Sequence, residues 1–260
     1  MQNNTFSGLY LGQNLIVLDE VSSTNDYLKE LLSNIKPLPE ATAIMAIHQV
    51  RGRGQRGNTW NTLPGQNLTF SFVLYPQEFS ALRTFYLNML ICLGVYQWLA
   101  PKLSGVTVKW PNDIYIGDRK IGGILIENTL TGVLVRNSVI GIGININQLD
   151  FPIELEQKAT SLRIETMEDQ PYSVSSCCLD LLTVIYTLYS QMNLNDTDTL
   201  LERYNSVLYR RGRLSYFPID DVITLGTIKE VNADGQLVVV VANQERTFDL
   251  KEIEFLPPNS

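Results

Sequence analysis

Histidine is nearly absent from this sequence, whose 260 residues contain only His48. Catalytic triads with a histidine base and metal sites built from several histidines therefore have little support. Cysteine is almost as scarce, with Cys92, Cys177 and Cys178. Their spacing provides neither a disulfide framework nor a zinc-binding pattern. We therefore expect three small apolar core residues in a reducing compartment, the cytoplasm.

Long hydrophobic runs and an excess of positive charge are also missing. The longest apolar run, 85–100, is interrupted by Asn88, Gly94 and Gln97, which favours a buried helix over a membrane span. The N-terminus has no signal-peptide pattern. A net charge of −7 argues against binding nucleic acid, which needs a basic face. The basic segments 51–56 and 210–213 suit one small anion, so we expect a soluble protein with no membrane or nucleic-acid partner.

The chain is long enough for one large domain and a small appendage, because 45% of its residues are hydrophobic. Apolar runs between turn residues predict strands at 15–18, 43–49, 68–75, 106–109, 114–116, 121–127, 133–135 and 138–144. Helical spacing predicts helices at 23–32, 82–99, 174–192 and 199–208. After Gly212 the pattern changes to short strands at 222–225, 226–231, 237–241 and 246–249, with a hairpin turn at 232–235. We predict a catalytic domain over 1–211 and a small barrel-like domain over 212–260.

The first informative motif is a glycine loop, Gly52-Arg53-Gly54-Gln55-Arg56-Gly57. Its spacing matches the dinucleotide-binding fingerprint, but a turn and another strand follow where that fingerprint needs a helix. Asn58-Thr59 stands where a Walker loop needs Lys-Ser/Thr, and the other kinase motifs are absent. An ordinary polar β-loop remains possible. Backbone N–H groups and guanidinium forks on such a loop also suit phosphate binding.

A second motif, Lys109-Trp110-Pro111-Asn112-Asp113, begins at the last residue of a predicted strand. It combines a cation with a turn that ends in a carboxylate. Together with the glycine loop, it suggests an enzyme that activates a carboxylic acid with a nucleotide. Three further segments accompany these two motifs along the chain: Glu20-Val21-Ser22-Ser23-Thr24-Asn25, Asp118-Arg119-Lys120-Ile121-Gly122-Gly123 and Gly141-Ile142-Gly143-Ile144-Asn145.

This ordered series resembles the biotin protein ligases over residues 18–147. The resemblance implies an α/β (α+β) fold: a catalytic domain similar to the class II aminoacyl-tRNA synthetases, with a mixed sheet, and an SH3-like C-terminal β-barrel domain. Some members of the family carry an N-terminal helix-turn-helix domain and act as repressors. Only about 14 residues precede the first predicted strand, so we expect the form without that domain.

The resemblance also implies a two-step reaction. Biotin reacts with ATP, accompanied by Mg²⁺, to give biotinyl-AMP and pyrophosphate. A lysine of a biotin carboxyl carrier protein, or of the carrier domain of a biotin-dependent carboxylase, then accepts the biotinyl group. The expected protein is a monomer or a homodimer.

Site residues follow from the matching motif positions. The resemblance implies that Lys109 and Arg53 are catalytic, beside the biotin carboxylate and the α-phosphate. It implies a biotin-binding set comprising Ser23, Thr24, Asn25, Gln49, Arg53, Gly54, Gln55 and Lys109. It implies a nucleotide-binding set comprising Arg53, Arg56, Trp60, Asn112, Lys120, Gly141, Gly143 and Asn145.

The residue types leave several of these roles open. Ser23 and Asn25 could only cap a helix, and Trp60 could belong to the core. Asn112 and Asp113 could position the substrate, Mg²⁺ or the incoming carrier lysine, and the sequence predicts no dedicated protein ligands for the metal.

The glycine loop departs from the family pattern at one position. Many members have a second arginine where this chain has Gln55, with Arg56 one position later. A neutral glutamine supplies no charge to retain the adenylate, so weaker retention is expected.

The nearest alternative function is a lipoate or octanoate ligase or transferase of the same superfamily. The other is a non-catalytic biotin sensor, which the acidic charge disfavours.

Overall fold

A computed structural model describes residues 4–6, 14–34, 38–76, 79–193, 196–220, 222–250 and 252–256, without the side chains of 4–6, 56 and 82. Within these ranges an eight-stranded sheet is followed by a smaller four-stranded sheet. The first contains β1 (Asn4–Phe6), β2 (Leu15–Val21), β3 (Ala43–Gln49), β4 (Asn67–Leu74), β5 (Val106–Lys109), β6 (Asp113–Ile116), β7 (Arg119–Thr131) and β8 (Leu134–Asn145). The second contains β9 (Leu214–Ile219), β10 (Val222–Val231), β11 (Leu237–Val241) and β12 (Gln244–Phe248).

The large sheet has the strand order β1-β2-β3-β4-β8-β7-β6-β5. Strands β2 and β3 are parallel, and the other neighbouring pairs in this sheet are antiparallel. Five helices lie between the strands or follow them: α1 (Thr24–Asn34), α2 (Thr84–Leu99), α3 (Leu162–Thr166), α4 (Val174–Ser190) and α5 (Thr197–Ser206). Helix α1 is the connection between the parallel strands β2 and β3, as such a crossover requires.

The main core lies between the large sheet and helices α2 and α4. Every residue of β4 is buried, and α2 buries most of its circumference, as its broad apolar pattern predicts. At Gly94 of α2 a Cβ would lie 2.6 Å from Cγ1 of Ile185 on α4. Glycine at this position therefore allows the two helices to pack closely. None of the helices in the described ranges has the length and apolarity needed to cross a membrane.

The mixed sheet and the small C-terminal β unit predicted from the sequence are confirmed. The predicted strands 133–135 and 138–144 form one strand, β8, because β7 extends to Thr131 and pairs with it throughout. Similarly, 222–225 and 226–231 form the single strand β10, with Gly226 packed against Val239. The sequence prediction missed β1, β9 and the short helix α3.

The C-terminal sheet is attached to the large sheet and its helices by side-chain-to-backbone hydrogen bonds. Trp110 donates from Nε1 to the carbonyl of Gly235 at 2.9 Å. The amide of Asn205 on α5 donates to the carbonyl of Val231 at 2.9 Å and accepts from its N–H at 2.7 Å. Gly212 N–H also bonds to the carbonyl of Ile228 at 2.9 Å. The domain boundary at 211/212 stays a prediction.

Candidate active site

A cavity of about 220 Å³ opens on one face of the large sheet. A row of small or polar residues crosses four strands beneath it: Thr69, Gly143, Gly123 and Asp113. Residues directly opposite each other on neighbouring strands share a face of the sheet. The absence of large side chains along this row leaves space above the sheet for a ligand. The cavity floor is therefore formed by the pairing register of β4, β8, β7 and β6.

Uncharged polar groups form one end of the cavity. Thr24 bonds to Oε1 of Gln49 through its backbone N–H at 2.8 Å and through its hydroxyl at 3.1 Å. Gln49 ends β3, and Thr24 begins α1 directly after β2, so the parallel pairing of these strands brings them together. Ser23 also lines the cavity, and its hydroxyl accepts a 3.4 Å hydrogen bond from Asp26 N–H. Ser23 therefore caps the helix and faces the cavity.

Ser71 links this end to Asn25. Its hydroxyl lies 2.6 Å from the Thr24 hydroxyl and 2.5 Å from Oδ1 of Asn25. Asn25 then donates from Nδ2 to Oε2 of Glu127 at 2.7 Å. The sequence analysis missed Ser71 and Glu127. Ser71 was detectable as a polar residue inside the apolar strand β4, and Glu127 as a carboxylate after the apolar run 124–126.

Four charged groups form a cluster beside Asn25. Arg53 Nη2 lies 2.5 Å from Oδ1 of Asp26 and 3.4 Å from Glu127. Lys29 Nζ lies 2.8 Å from Glu127 and 3.0 Å from Asp26. Burial alone would raise the pKa of Glu127, but hydrogen bonds from Lys29 and Asn25, together with the charges of Lys29 and Arg53, lower it below its ordinary value. The ionised form of Glu127 is therefore favoured, and its carboxylate accepts the hydrogen bond that holds Asn25 in place.

The glycine loop folds back on itself beside this cluster. Gly54 N–H donates to the carbonyl of Asn58 at 2.7 Å, and Trp60 N–H donates to the carbonyl of Gly52 at 2.9 Å. Arg53, Gly54 and Gln55 line the cavity. The backbone of Arg56 belongs to a short 3₁₀ turn, but its side chain lies outside the described part of the structure, so the sequence prediction for Arg56 has no geometric counterpart.

Trp60 packs against the floor of the cavity at Gly143. A Cβ on Gly143 would lie 2.6 Å from the indole Nε1, so only glycine at this position leaves room for the ring. The Nε1 atom is buried and has no hydrogen-bond partner among the described residues. Lys120 Nζ lies 5.8 Å from the centre of the indole ring, within the range of cation–π attraction.

Lys120 and Asp113 form the charged end of the cavity. Their side chains form an ion pair at 2.7 Å, and both line the cavity. Asn112 also borders the cavity, but its side-chain amide donates to the carbonyl of Ile124. The backbone N–H of Ile124 in turn donates to the carbonyl of Asn112 at 3.1 Å. Asn112 therefore fixes the end of β6 against β7.

Two of the residues predicted for the site, Lys109 and Asn145, are not among the described residues that line the cavity. The Asn145 amide donates to the carbonyl of Thr160 at 3.0 Å and so holds the segment after β8. The Lys109 ammonium lies 5.0 Å from the ring centre of Phe255. The remaining predicted residues, with the side chain of Arg56 excepted, converge on the one cavity.

The C-terminal segment completes the wall in a way that the sequence analysis missed. Leu250, Ile253 and Phe255 line the cavity from the far end of the chain. No local motif distinguishes these apolar residues from those of an ordinary core.

Comparisons with known proteins connect this geometry to a family. The biotin/lipoate A/B protein ligase family matches residues 17–145. Among curated proteins, the chain is similar to the bifunctional ligase/repressor BirA of Bacillus subtilis, with 39% identity over 155 residues that cover 58% of this chain and 47% of that protein. It is also similar to the biotin–[acetyl-CoA-carboxylase] ligase of Paracoccus denitrificans, with 32% identity over 133 residues, covering 50% of this chain and 53% of that one. The matches thus span about half the length of these curated relatives.

Among solved structures, the chain is similar to the biotin protein ligase from Aquifex aeolicus in complex with biotin and ATP. The TM-score is 0.77 and the identity 26%, over 93% of this chain and 98% of that one. This match includes both the large sheet and the C-terminal β unit.

Proposed function

Because this chain belongs to the biotin/lipoate A/B protein ligase family, we propose that it is an ATP-dependent biotin protein ligase. It activates biotin to biotinyl-5′-AMP and transfers the biotinyl group to a lysine of a biotin carboxyl carrier protein. The observation that supports this most directly is one cavity with an uncharged hydrogen-bonding end at Thr24 and Gln49 and a charged end at Lys120 and Asp113. A ligand with a neutral ring system and a carboxylate tail matches both ends.

The uncharged end suits the ureido group of biotin. A buried urea has two N–H donors and one carbonyl acceptor that need partners. Ser23, Thr24, Asn25 and Gln49 offer hydroxyl and amide groups there. Ser71 already holds Thr24 and Asn25, Glu127 also holds Asn25, and Thr24 holds Gln49. Side chains fixed in advance lose little freedom when the ligand binds. We assign these four residues to biotin recognition. Gly54 and Gln55 belong to the loop that closes over the biotin.

The charged end suits the first chemical step. A carboxylate oxygen of biotin attacks the α-phosphorus of ATP, a new P–O bond forms, and the bond to pyrophosphate breaks. Bringing two anions together is the main electrostatic barrier, and a cation directed at the developing charge lowers it. Lys109 lies opposite Asp113 across β5 and β6 and so shares the sheet face of the cavity wall, while Lys120 lines the cavity. We therefore assign the catalytic cations to Lys109 and to Arg53, which enters from the loop, and assign Lys120 to phosphate binding.

Arg53 has to change partners for this role. Its guanidinium is bound to Asp26 and Glu127, and binding to the adenylate requires it to turn away from them. Charge-assisted hydrogen bonds to phosphate then replace charge-assisted hydrogen bonds to carboxylates, and the two kinds are similar in strength. We propose that this exchange accompanies closure of the glycine loop, which then shields the anhydride from water.

The nucleotide-binding assignments rest on the groups around Trp60. Its indole lies against Gly143, and the Lys120 ammonium lies 5.8 Å from the ring centre, so an apolar aromatic surface stands beside a cation. Trp60, Arg53, Arg56, Asn112, Lys120, Gly141, Gly143 and Asn145 stay the proposed nucleotide-binding set, with Asn112 and Asn145 acting through the backbone groups that they hold.

Mg²⁺ fits this site only as a partner of the phosphates. The described residues contain no cluster of three or more acidic, histidine or cysteine side chains that could hold a metal ion. Mg²⁺ is usually bound by one or two carboxylates together with substrate phosphates and water. Asp113 is the carboxylate on the cavity wall beside Lys120 and would be the protein ligand. The ion supplies further neutralisation of the phosphate charge.

In the second step the lysine amine of the carrier attacks the carbonyl carbon of biotinyl-AMP. A C–N bond forms, the C–O bond to AMP breaks, and the amine loses a proton. The carrier protein or carboxylase domain is the proposed partner, and the protein acts as a monomer or homodimer without nucleic acid or membrane. The three free, buried cysteines fit a reducing compartment such as the cytoplasm.

The decisive experiment is incubation of the protein with ATP, Mg²⁺, biotin and an apo carrier, followed by intact mass measurement of the carrier. A gain of one biotinyl group supports the proposal. Parallel reactions with lipoic or octanoic acid test the related transferase activity, which the hydrogen-bonding end at Gln49 disfavours. Biotin binding without pyrophosphate release would indicate the non-catalytic sensor instead.

A further inference from the structure

The turn Trp110-Pro111-Asn112 connects two strand ends that carry charged groups of the site. Lys109 ends β5, Asp113 begins β6, and the two residues pair directly across these strands. Pro111 and Asp113 line the active-site cavity. The conformation of the turn therefore determines how Lys109 and Asp113 are oriented relative to the cavity.

The carbonyl oxygen of Pro111 accepts hydrogen bonds from two helices. Nδ2 of Asn88 on α2 donates to it at 2.8 Å, and the hydroxyl of Tyr204 on α5 also donates to it at 2.8 Å. The thiol of Cys92, a weak donor, lies 3.7 Å from the same oxygen. A carbonyl oxygen has two lone pairs, so Asn88 and Tyr204 together satisfy it. The middle of the turn is thus fixed from the side of the helices.

Tyr204 is suited to act as a permanent donor. Its side chain is fully buried, and its ring packs edge-on against Phe85 with ring centres 5.9 Å apart. Burial, followed by the charges of Cys92 and Asp113, raises the pKa of Tyr204 well above its ordinary value of 10. The hydroxyl therefore keeps its proton. Among the described residues, neither Tyr204 nor Asn88 lines the active-site cavity.

Helix α5 is itself anchored, so it provides a fixed support for the Tyr204 hydroxyl. The neighbouring side chain, Asn205, makes two hydrogen bonds to the backbone of Val231, at 2.9 and 2.7 Å. The indole of Trp110 donates to the carbonyl of Gly235 at 2.9 Å. Both the helix and the turn are therefore attached to the same hairpin of the C-terminal sheet, and α5 cannot shift away from the turn without breaking these bonds.

We propose that Tyr204 and Asn88 are positioning residues, which hold Lys109 and Asp113 in their reactive orientation by fixing the carbonyl of Pro111 between them. They act through the turn and not by contact with the substrates. Displacing a reacting group by about 1 Å can slow a reaction about 10²-fold, so small movements of the turn are sufficient. The effect on activity rests on the function proposed above, whereas the effect on the turn itself does not.

The test uses the full chain with Tyr204→Phe, Asn88→Leu and the double variant. Tyr204→Phe removes only the hydroxyl and keeps the ring that packs in the core. We expect the single-turnover rate of adenylate formation to fall at least threefold in each single variant and at least tenfold in the double variant. The Kd of biotin should change less than threefold, because the ring-binding end at Gln49 is not altered. Hydrogen exchange over 109–116 should become at least fivefold faster in the double variant.

Tyr75→Phe is the matched control. It also removes a tyrosine hydroxyl that donates to a backbone carbonyl at 2.8 Å, that of Leu38, and neither residue is among those that line the cavity. Thermal unfolding should be affected about as much as in Tyr204→Phe, with the adenylation rate and exchange over 109–116 unchanged. Equal slowing of adenylation in Tyr75→Phe would overturn the proposal, because the loss would then follow from stability and not from the position of the turn.

The two readouts of the double variant keep this proposal distinguishable from the proposed function. If the wild-type protein released no pyrophosphate with biotin and ATP, the ligase assignment would fail, while exchange over 109–116 would still report whether the two donors hold the turn. Exchange within twofold of wild type would overturn the positioning role whatever the activity. Faster exchange with an adenylation rate within twofold of an active wild type would overturn it too, since the bonds to Pro111 would then be structural only.

Discussion

The ammonium of Lys120 lies 2.7 Å from the carboxylate of Asp113, and both groups face the cavity. The cation proposed to bind phosphate is thus paired with a carboxylate. The pair holds Lys120 over the sheet floor at Gly123, where a larger residue would crowd both side chains.

Substitution of Lys120 by methionine should strongly slow adenylate formation. Losing one group that stabilises developing charge costs about 10²–10³ in kcat, and we expect a loss of that size in biotin-dependent pyrophosphate release. Thermal unfolding should change little, because the Lys120 side chain is one-third exposed, at 33%. Lys229→Met, which removes an exposed lysine from β10, is the matched control and should keep normal activity. Near-normal release from Lys120→Met would contradict the assignment.

The two glycines of β8 should affect different substrates. In Gly141→Ala the new Cβ would lie 3.0 Å from Cγ of Asn25, whereas in Gly143→Ala it would lie 2.6 Å from Nε1 of Trp60. We expect the first variant to raise KM mainly for biotin and the second to raise it mainly for ATP, each about tenfold or more if one hydrogen-bonded or stacked group is displaced. Steady-state kinetics on the pair would check this split, and identical effects on both substrates would contradict it.

Replacing Gln55 by arginine should improve retention of the intermediate. Gln55 lines the cavity but carries no charge, and a charge-assisted hydrogen bond is worth about 1.5–3 kcal/mol. We expect biotinyl-AMP to dissociate at least ~10-fold more slowly from Gln55→Arg. Stopped-flow release of labelled adenylate measures the rate, with Gln55→Met as an uncharged control. Equal rates would show that position 55 does not control retention.

Acid should reduce the stability contribution of Glu127. Its pKa is held below the ordinary value of 4.5, so the folded state favours the carboxylate more than the unfolded state does. The contribution is complete above that value and is lost as the pH falls through the lowered pKa. The free energy of unfolding of wild type should therefore exceed that of Glu127→Gln at neutral pH, with the difference shrinking towards pH ~3.

Denaturant titrations at several pH values test this expectation. Glu245→Gln, at an exposed carboxylate of β12 that pairs with Lys229, is the comparison variant. If the difference in the free energy of unfolding between wild type and Glu127→Gln stayed constant down to pH ~3, the cluster around Glu127 would not stabilise the charge of Glu127 in the folded state.

The sequence by itself determined the local elements and most of the site. The strands 43–49 and 106–109 were predicted with their observed ends, because apolar runs and turn residues act over a few neighbouring positions. The cap residues at 23–25 and the glycine loop were also recognisable, and the structure brings them to one cavity. The sequence prediction divided the long strand β8 in two at Arg136 and Asn137. In the structure its partner β7 stabilises β8 across these residues, and a local pattern does not show this pairing.

Only the tertiary structure decided what surrounds the two lysines of these motifs. Lys109 and Lys120 both stand near strand ends, and local sequence does not show their neighbours. The register of β5, β6 and β7, with a bulge between Ile114 and Tyr115, brings both lysines beside Asp113. The C-terminal segment then places Phe255 against Lys109. Side-chain direction depends on strand pairing and on contacts between residues more than a hundred positions apart, so no motif could contain it.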